Sequence, residues 1–313
     1  MRISTALSAA VVVSALATPA LAEYPERPVL VIIPFSAGGG TDIGGRTMIP
    51  YLEKCLGQPV VPVNRPGAGA TIGIQEVVNA APDGYTFGIM NSPNFVLGAI
   101  TKPDVQYDLE SVEWLGNFYG NSGTVAVRKD SEIETIGQFA EKLKAGETIN
   151  IGISSPGSDD SLLIEGLKKQ LGVDIEPIPL GGSAESRNGL LGGHVDAIIM
   201  SGTDALRFSE NIRPLAIATP ERVSYLPDTP TFRESGIELL GVSNHTMGAP
   251  KGLPPEVHEK LAGCLETVAN DPAFLADAKE RSANVMFLND EQTTEHIQSL
   301  GAEVQSLWEA DPW

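Results

Sequence analysis

Cysteine is nearly missing from this chain. Cys55 and Cys264 are the two in 313 residues, and they form no C-x-x-C, which argues against a thiol-exchange site. Basic residues are scarce as well: 21 Lys and Arg stand against 40 Asp and Glu, for a formal net charge of −19. Such a surface argues against nucleic acid and anionic membranes as partners. The four histidines, His194, His245, His258 and His296, never pair at metal-ligand spacing. There is no G-x-S-x-G elbow and no G-x-x-x-x-G-K-[ST] phosphate loop. Gly67-Ala68-Gly69 followed by Gly73 is one residue too long for a dinucleotide fingerprint. No cofactor and no metal are therefore expected. After the first 22 residues no apolar run reaches membrane-spanning length.

Those first residues carry a short positive start at Arg2, an apolar run over 6–16 and a small-x-small cleavage signal at Ala20-Leu21-Ala22. This is the pattern of a cleavable secretory signal peptide over 1–22, which places the mature chain in the periplasm. No cysteine follows the cut, so no lipid anchor is expected. Arg2 is the one charged residue of the segment, and its loss leaves the mature chain still more acidic. In an exported protein the two cysteines either pair or remain buried thiols, and both alternatives stand.

What is abundant is glycine at the ends of strands. The β-branched run Val29-Leu30-Val31-Ile32-Ile33 predicts a buried strand, and 43–56 predicts a helix with a kink or break at Pro50. Pro34-Phe35-Ser36-Ala37-Gly38-Gly39-Gly40-Thr41-Asp42 joins them. A helix start offers unpaired N–H groups and the positive end of its dipole, so this turn suits an anion. Thr41 is expected to cap the helix, and Asp42 either steadies its start or meets the ligand.

Further strands are expected over 60–64 and 85–91, with a helix over 70–79 between them, which makes a βαβαβ unit with a parallel sheet. A second set follows: strands over 124–128, 150–154, 175–180, 195–200 and 214–218, with helices over 136–143, 161–171 and 184–191. The C-terminal part is mostly helical, over 255–269, 273–281 and 291–308, with strands near 242–248 and 285–288. The pattern changes near 121–123 and again near 243–246, so the chain is expected to cross between two units twice. Lobe 1 would hold 23–122 plus 246–313, and lobe 2 would hold 123–245. The cleft of such a hinged pair is the natural ligand site.

Several motifs taken together carry a resemblance. They are the Phe35–Asp42 turn, Asn64-Arg65-Pro66-Gly67-Ala68-Gly69 with Gly73, Ala81-Pro82-Asp83-Gly84-Tyr85-Thr86, Gly192-Gly193-His194-Val195-Asp196 and Gly248-Ala249-Pro250-Lys251-Gly252-Leu253-Pro254. In this order, behind a signal peptide, the chain resembles the Bug family, the extracytoplasmic solute receptors of tripartite tricarboxylate transporters. The resemblance implies an α/β, two-lobed periplasmic binding protein, a type II-like venus flytrap. Each lobe would be a mixed, mainly parallel sheet flanked by helices. It also implies a small organic acid as ligand (a di- or tricarboxylate, an acidic amino acid or an aromatic acid), membrane permease subunits as partners, and a monomeric state. It implies two facing loops that hold carboxylates through backbone N–H groups and waters: Phe35–Asp42, and Ser154-Ser155-Pro156-Gly157-Ser158-Asp159-Asp160.

The candidate ligand-binding residues are therefore Phe35, Ser36, Ala37, Gly38, Gly39, Thr41, Asp42, Asn91, Ser92, Ser154, Ser155, Gly157, Ser158, Asp159, Gly181, Ala184 and Ser201. Asn91, Ser92, Gly181 and Ser201 enter because carboxyl ends of parallel strands are where open α/β sheets bind ligands. Relatives often carry a histidine where Ser161 stands, behind Asp159-Asp160. One of these aspartates either caps the following helix or points into the cleft, where it would call for an amine on the ligand. Trp114 and Tyr119 are expected to pack between the units, and Arg65 to tie loops together. Two other readings remain at this stage: a ligand sensor that signals to a membrane kinase, and a secreted hydrolase whose residues meet only in three dimensions.

Overall fold

A computed structural model of the chain describes residues 24–239, 241–281 and 283–310. The signal-peptide expectation falls on residues outside these. Strand β1 (Val29–Ile33) is buried in all but one position, as its β-branched run dictates, and lies parallel between β2 (Val60–Asn64) and β3 (Thr86–Asn91). Helix α1 (Gly40–Leu56) and helix α2 (Thr71–Val78) are the crossovers. Helix α1 runs continuously through Pro50. Helix α3 (Ser92–Thr101) follows β3 without a loop. Nothing in the sequence analysis anticipated it, because Ser92-Pro93-Asn94 resembles a polar turn. Proline is nevertheless tolerated in a first helical turn, where its missing N–H is not needed.

Strand β4 (Val112–Arg128) extends over 17 residues, well beyond the expected 124–128. Its first part pairs antiparallel with β9 (Val242–Pro250) and β10 (Val285–Leu288). Its last part pairs antiparallel with β7 (Ala197–Ser201) and β8 (Ile212–Ile217). Strand β9 in turn pairs with β3, so the N-terminal parallel strands, β9 and β4 form a single sheet. Beyond β7, the strand β5 (Ile151–Ile153) and the short β6 (Ile178–Pro179) extend the second sheet in parallel. The handover along β4 occurs between Ser122, opposite Val242, and Gly123, opposite Ser201. The Gly123 N–H donates to Gly241 O at 3.0 Å, so the outward and return crossings lie side by side.

Each sheet is covered on both faces. Helices α1, α8 (Pro255–Ala269) and α9 (Pro272–Glu280) bury one face of the first sheet around Met48, Leu52, Leu261 and Phe274. Helices α2, α3 and α10 (Asp290–Ala310) bury the other around Ile74, Phe95, Trp114 and Ile297. In the second sheet, α4 (Ile136–Lys144) and α5 (Asp159–Leu171) pack around Phe139, Ile164 and Leu167. Helices α6 (Ser183–Leu191) and α7 (Gly202–Arg207) close the opposite face near Leu190 and Ala205. Trp114 and Tyr119 sit inside the cores of the first sheet, not between the units. The Tyr119 hydroxyl donates to Gly44 O at 3.1 Å, and a methyl group at position 44 would stand 2.9 Å from the Tyr119 ring. Cys55 and Cys264 form a disulfide that joins the end of α1 to α8, with their Cα atoms 5.7 Å apart.

Candidate functional site

A cavity of about 420 Å³ opens where the two sheets face each other. Four turns line it. Two belong to the first sheet: Pro34–Thr41 before α1, and Pro66–Ala70 before α2, with Lys102 beside the latter. Two belong to the second sheet: Ser154–Pro156 after β5, and Gly181–Ser183 before α6.

The first turn is built by the expected chemistry with different assignments. The N-cap of α1 is Gly39, not Thr41. Thr41 Oγ1 instead donates to Asn91 Oδ1 at 3.1 Å. Asp42 turns back and accepts from Gly38 N at 2.9 Å, from Asn64 Nδ2 at 2.9 Å and from Arg46 Nε at 2.8 Å. Gly38 has φ +78, a left-handed conformation that glycine adopts at no steric cost. The first internal bond of α1 runs from Ile43 N to Gly39 O. The N–H groups of Gly40, Thr41 and Asp42 therefore precede the helix ladder. At α6 the first such bond is Ser186 N to Gly182 O, so Ser183 begins an equivalent set on the opposite lobe.

The Ser154–Asp160 loop contributes its strand end rather than its helix start. The N-cap of α5 is Ser158, and neither aspartate occupies that position. Asp160 Oδ2 reaches back to accept from Ser154 N at 2.7 Å, so the capping expectation gives way to a loop tie. Burial first, and then the neighbouring Asp159 charge, push the Asp160 carboxyl up to about 7. Burial likewise raises Asp159, whose carboxylate is bonded by the Ser243 hydroxyl on β9. Gly157 N donates to Ser161 Oγ at 3.1 Å, which spends another loop N–H inside the protein.

Of the residues singled out from sequence, Phe35, Ser36, Gly39, Thr41, Ser154, Ser155 and Gly181 line the cavity. Ala37, Gly38, Asp42, Gly157, Ser158 and Asp159 are not among the lining residues: Asp42 ties the first turn through Gly38 N, and Ser158 Oγ ties the second by donating to Ser155 O. Ala184 follows the lining residue Ser183. Asn91 and Ser92 are buried at the end of β3, where Asn91 Nδ2 donates to Ser243 Oγ at 3.0 Å. Ser201 is the N-cap of α7 and accepts from Asp204 N at 3.1 Å. Arg65 ties its loop to α2 through Glu76 at 2.8 Å. His245 is buried beside Asn121, and burial lowers its pKa to about 4.

Sequence reasoning missed Lys102 and the Gly67–Ala70 turn as lining residues. The turn carries φ +50 at Ala68 and +77 at Ala70, a conformation that costs a residue with a side chain. Such strain persists where surrounding structure imposes it, often around ligand sites.

The two lobes approach each other closely at several glycines. A methyl group at Gly182 would stand 2.7 Å from Ser36 Oγ. One at Gly40 would stand 3.1 Å from Asp204 Oδ2, and one at Gly69 would stand 2.8 Å from Pro156 O. Each pair spans the two sheets, so the cavity is held between close backbone approaches that side chains would block.

Two sheets joined through crossing strands, with strand-to-helix turns converging on an interlobe cavity, define the class of two-lobed periplasmic binding proteins. The chain belongs to the tripartite tricarboxylate transporter receptor family (TctC), whose model matches residues 45–310. It is 32% identical over 289 residues to the protein BugT of Bordetella pertussis, covering 89% of this chain and 87% of that one. The solved periplasmic binding protein BugD has 31% identity and a TM-score of 0.84, over 92% of this chain and 98% of its own. MatC of Rhodopseudomonas palustris, solved with bound malate, has 26% identity and a TM-score of 0.81, over 92% and 99%. Among the described residues no helix is long and apolar enough to cross a membrane.

Proposed function

We propose that the mature chain is a periplasmic receptor that captures a small carboxylate in the interlobe cavity and delivers it unchanged to the permease subunits of a tripartite transporter. In this reading lobe 1 comprises 23–122 plus 246–313, lobe 2 comprises 123–245, segment 1–22 is removed on export, and the receptor acts as a monomer. The observation that carries it is the convergence of the α1 and α6 N-termini, from opposite sheets, on one cavity of about 420 Å³. The malate held by MatC supports the same ligand class here.

The energetics suffice. A hydrogen bond to a charged group contributes roughly 1.5–3 kcal/mol, and a helix end about 0.3–1 kcal/mol or somewhat more when partly buried. Micromolar affinity needs about 8 kcal/mol in total, which a few such contacts supply. The ligand closes the lobes only if it binds the closed state better than the open one.

A thermal-shift screen of small organic acids on the mature protein, followed by calorimetry and recovery of the ligand, tests the proposal. Stabilisation by a carboxylate that is recovered intact supports a receptor, while turnover would show an enzyme. Small-angle scattering at saturating ligand should show compaction, and an unchanged scattering profile would count against closure. Binding of the purified permease to the loaded form, and not to the empty form, tests delivery.

A further inference from the structure

Lys102 is the one charged side chain among the residues that line the cavity. It stands at the C-cap of α3, half-buried, in a chain of net charge −19. Its Nζ donates to Ala68 O at 2.7 Å, a backbone carbonyl. No carboxylate lies within ion-pair distance of it among the described residues. An ammonium carries three donors, so one carbonyl leaves two unspent. A partly desolvated charge without a counter-ion is a cost that folded proteins seldom leave standing.

The surroundings hold this ammonium in place. The left-handed turn at Ala68 and Ala70 aims the Ala68 carbonyl at Nζ. A methyl group at Gly69 would stand 2.6 Å from Nζ, and one at Gly157 would stand 3.0 Å from the Lys102 side chain. Glycine at both positions leaves room for the ammonium where the first-sheet turn meets the second-sheet loop. Away from Lys102 the lining groups are neutral: the Ser36 hydroxyl meets the Gly182 turn, while the Asp204 carboxylate beside Gly40 is ion-paired with Arg207 and, like Glu185 beside Gly182, is not a lining residue. The cavity thus has an end with neutral donors and an end with a cation.

We infer that Lys102 is the counter-ion for a second carboxylate of the ligand, and that it makes this receptor select dianionic acids over monocarboxylates of the same length. The inference rests on the cavity being a carboxylate site. One carboxylate would take the α1 and α6 N–H groups, and the other would take the two remaining Lys102 donors as a charge-assisted pair. Lobe closure would then need both ends, since Lys102 lies at the junction with Pro156 and Gly157.

Paired calorimetric titrations test this: succinate against butyrate and adipate against hexanoate, on wild type, Lys102→Gln and Lys102→Arg. Circular dichroism on each variant confirms folding, and Lys102→Met serves as a second neutral variant. Wild type should prefer the dicarboxylate of at least one pair. Lys102→Gln and Lys102→Met should weaken that dicarboxylate about 10- to 100-fold and change the monocarboxylate less than about 3-fold, with Lys102→Arg in between. An unchanged dicarboxylate affinity in folded Lys102→Gln, or an equal loss for both acids, overturns the role of Lys102 while the carboxylate site stands. If none of the four acids binds wild type, the carboxylate reading itself falls and this inference with it.

Discussion

Asp160 accepts the backbone N–H of Ser154 at 2.7 Å, and that bond folds the start of α5 back over the end of β5. The first lobe repeats the device with Asp42 and Gly38 at 2.9 Å. In both lobes an aspartate in the first helical turn organises the turn before it. The N–H groups so used are spent inside the protein, and the helix starts that line the cavity are those of α1 and α6.

The Asp160 carboxyl titrates near 7 in the folded chain because burial, and then Asp159, oppose its ionisation. A raised carboxyl pKa favours the folded state most below the unfolded value, and this contribution is lost as pH rises through about 7. Asp160→Asn keeps an acceptor for Ser154 N without the charge. The stability of the variant relative to wild type should increase from pH 4 to pH 8, by a few kcal/mol at most. His245 titrates in the opposite sense, but it is common to both proteins and cancels in the difference. Urea unfolding at stepped pH measures it, and a difference that does not vary with pH would refute the assignment.

Gly182 leaves room for Ser36. A methyl group there would displace the flexible Glu185 carboxylate on its own helix and stand 2.7 Å from Ser36 Oγ across the lobes. Gly182→Ala should weaken ligand binding about tenfold or more while the unfolding free energy of the empty protein changes by less than roughly 1 kcal/mol. Ser36→Gly in the same chain should recover most of the lost affinity. Calorimetry on the three proteins decides the matter, and an unaffected Gly182→Ala would mean that the lobes do not approach there.

The Cys55–Cys264 bond closes a loop with a sequence separation of 209. Its removal by Cys55→Ser with Cys264→Ser should cost roughly 2–5 kcal/mol, read as a lower urea midpoint. Both cysteines pack in the core of lobe 1 and neither lines the cavity, so ligand affinity should hold. A large affinity loss in the folded double variant would contradict this separation.

Asn91 connects two groups: it accepts from Thr41 Oγ1 at 3.1 Å and donates to Ser243 Oγ at 3.0 Å. Asn91→Ala leaves both hydroxyls buried without these partners, a loss of about 1–3 kcal/mol. Because Thr41 lines the cavity, affinity should fall as well. A stability loss with unchanged affinity would mean that Thr41 holds its position unaided.

Much of the fold was legible along the chain. The Val29–Ile33 run, the glycines after it and the helix to Leu56 announce a strand, turn and helix locally, through branching and backbone freedom. Helix α8 runs over the expected Pro255–Ala269 because a proline in its first turn marks the start plainly. The length of β4 was not legible, since Asn121-Ser122-Gly123 resembles a loop until β9 supplies its pairing. The cap of α7 is Ser201, which entered the sequence reading only as a strand-end ligand candidate. Of the site, the turn at Phe35–Thr41 was visible and Lys102 was not, because a lone lysine at a helix end carries no signal until distant turns surround it.

By itself the sequence determined most of the strands and helices, α3 excepted, together with the glycine turns at their junctions and the acidic balance of the chain, all of which follow from side-chain branching, backbone freedom and charge within a few residues. Only the tertiary structure decided which carboxylate takes which N–H, that Cys55 meets Cys264, and that Lys102 comes to face Pro156. The last two join residues far apart in the chain, and the aspartate ties, though local, are made by carboxylates that only the packed fold buries. Their energies depend on burial and distance, which exist only once both sheets have packed.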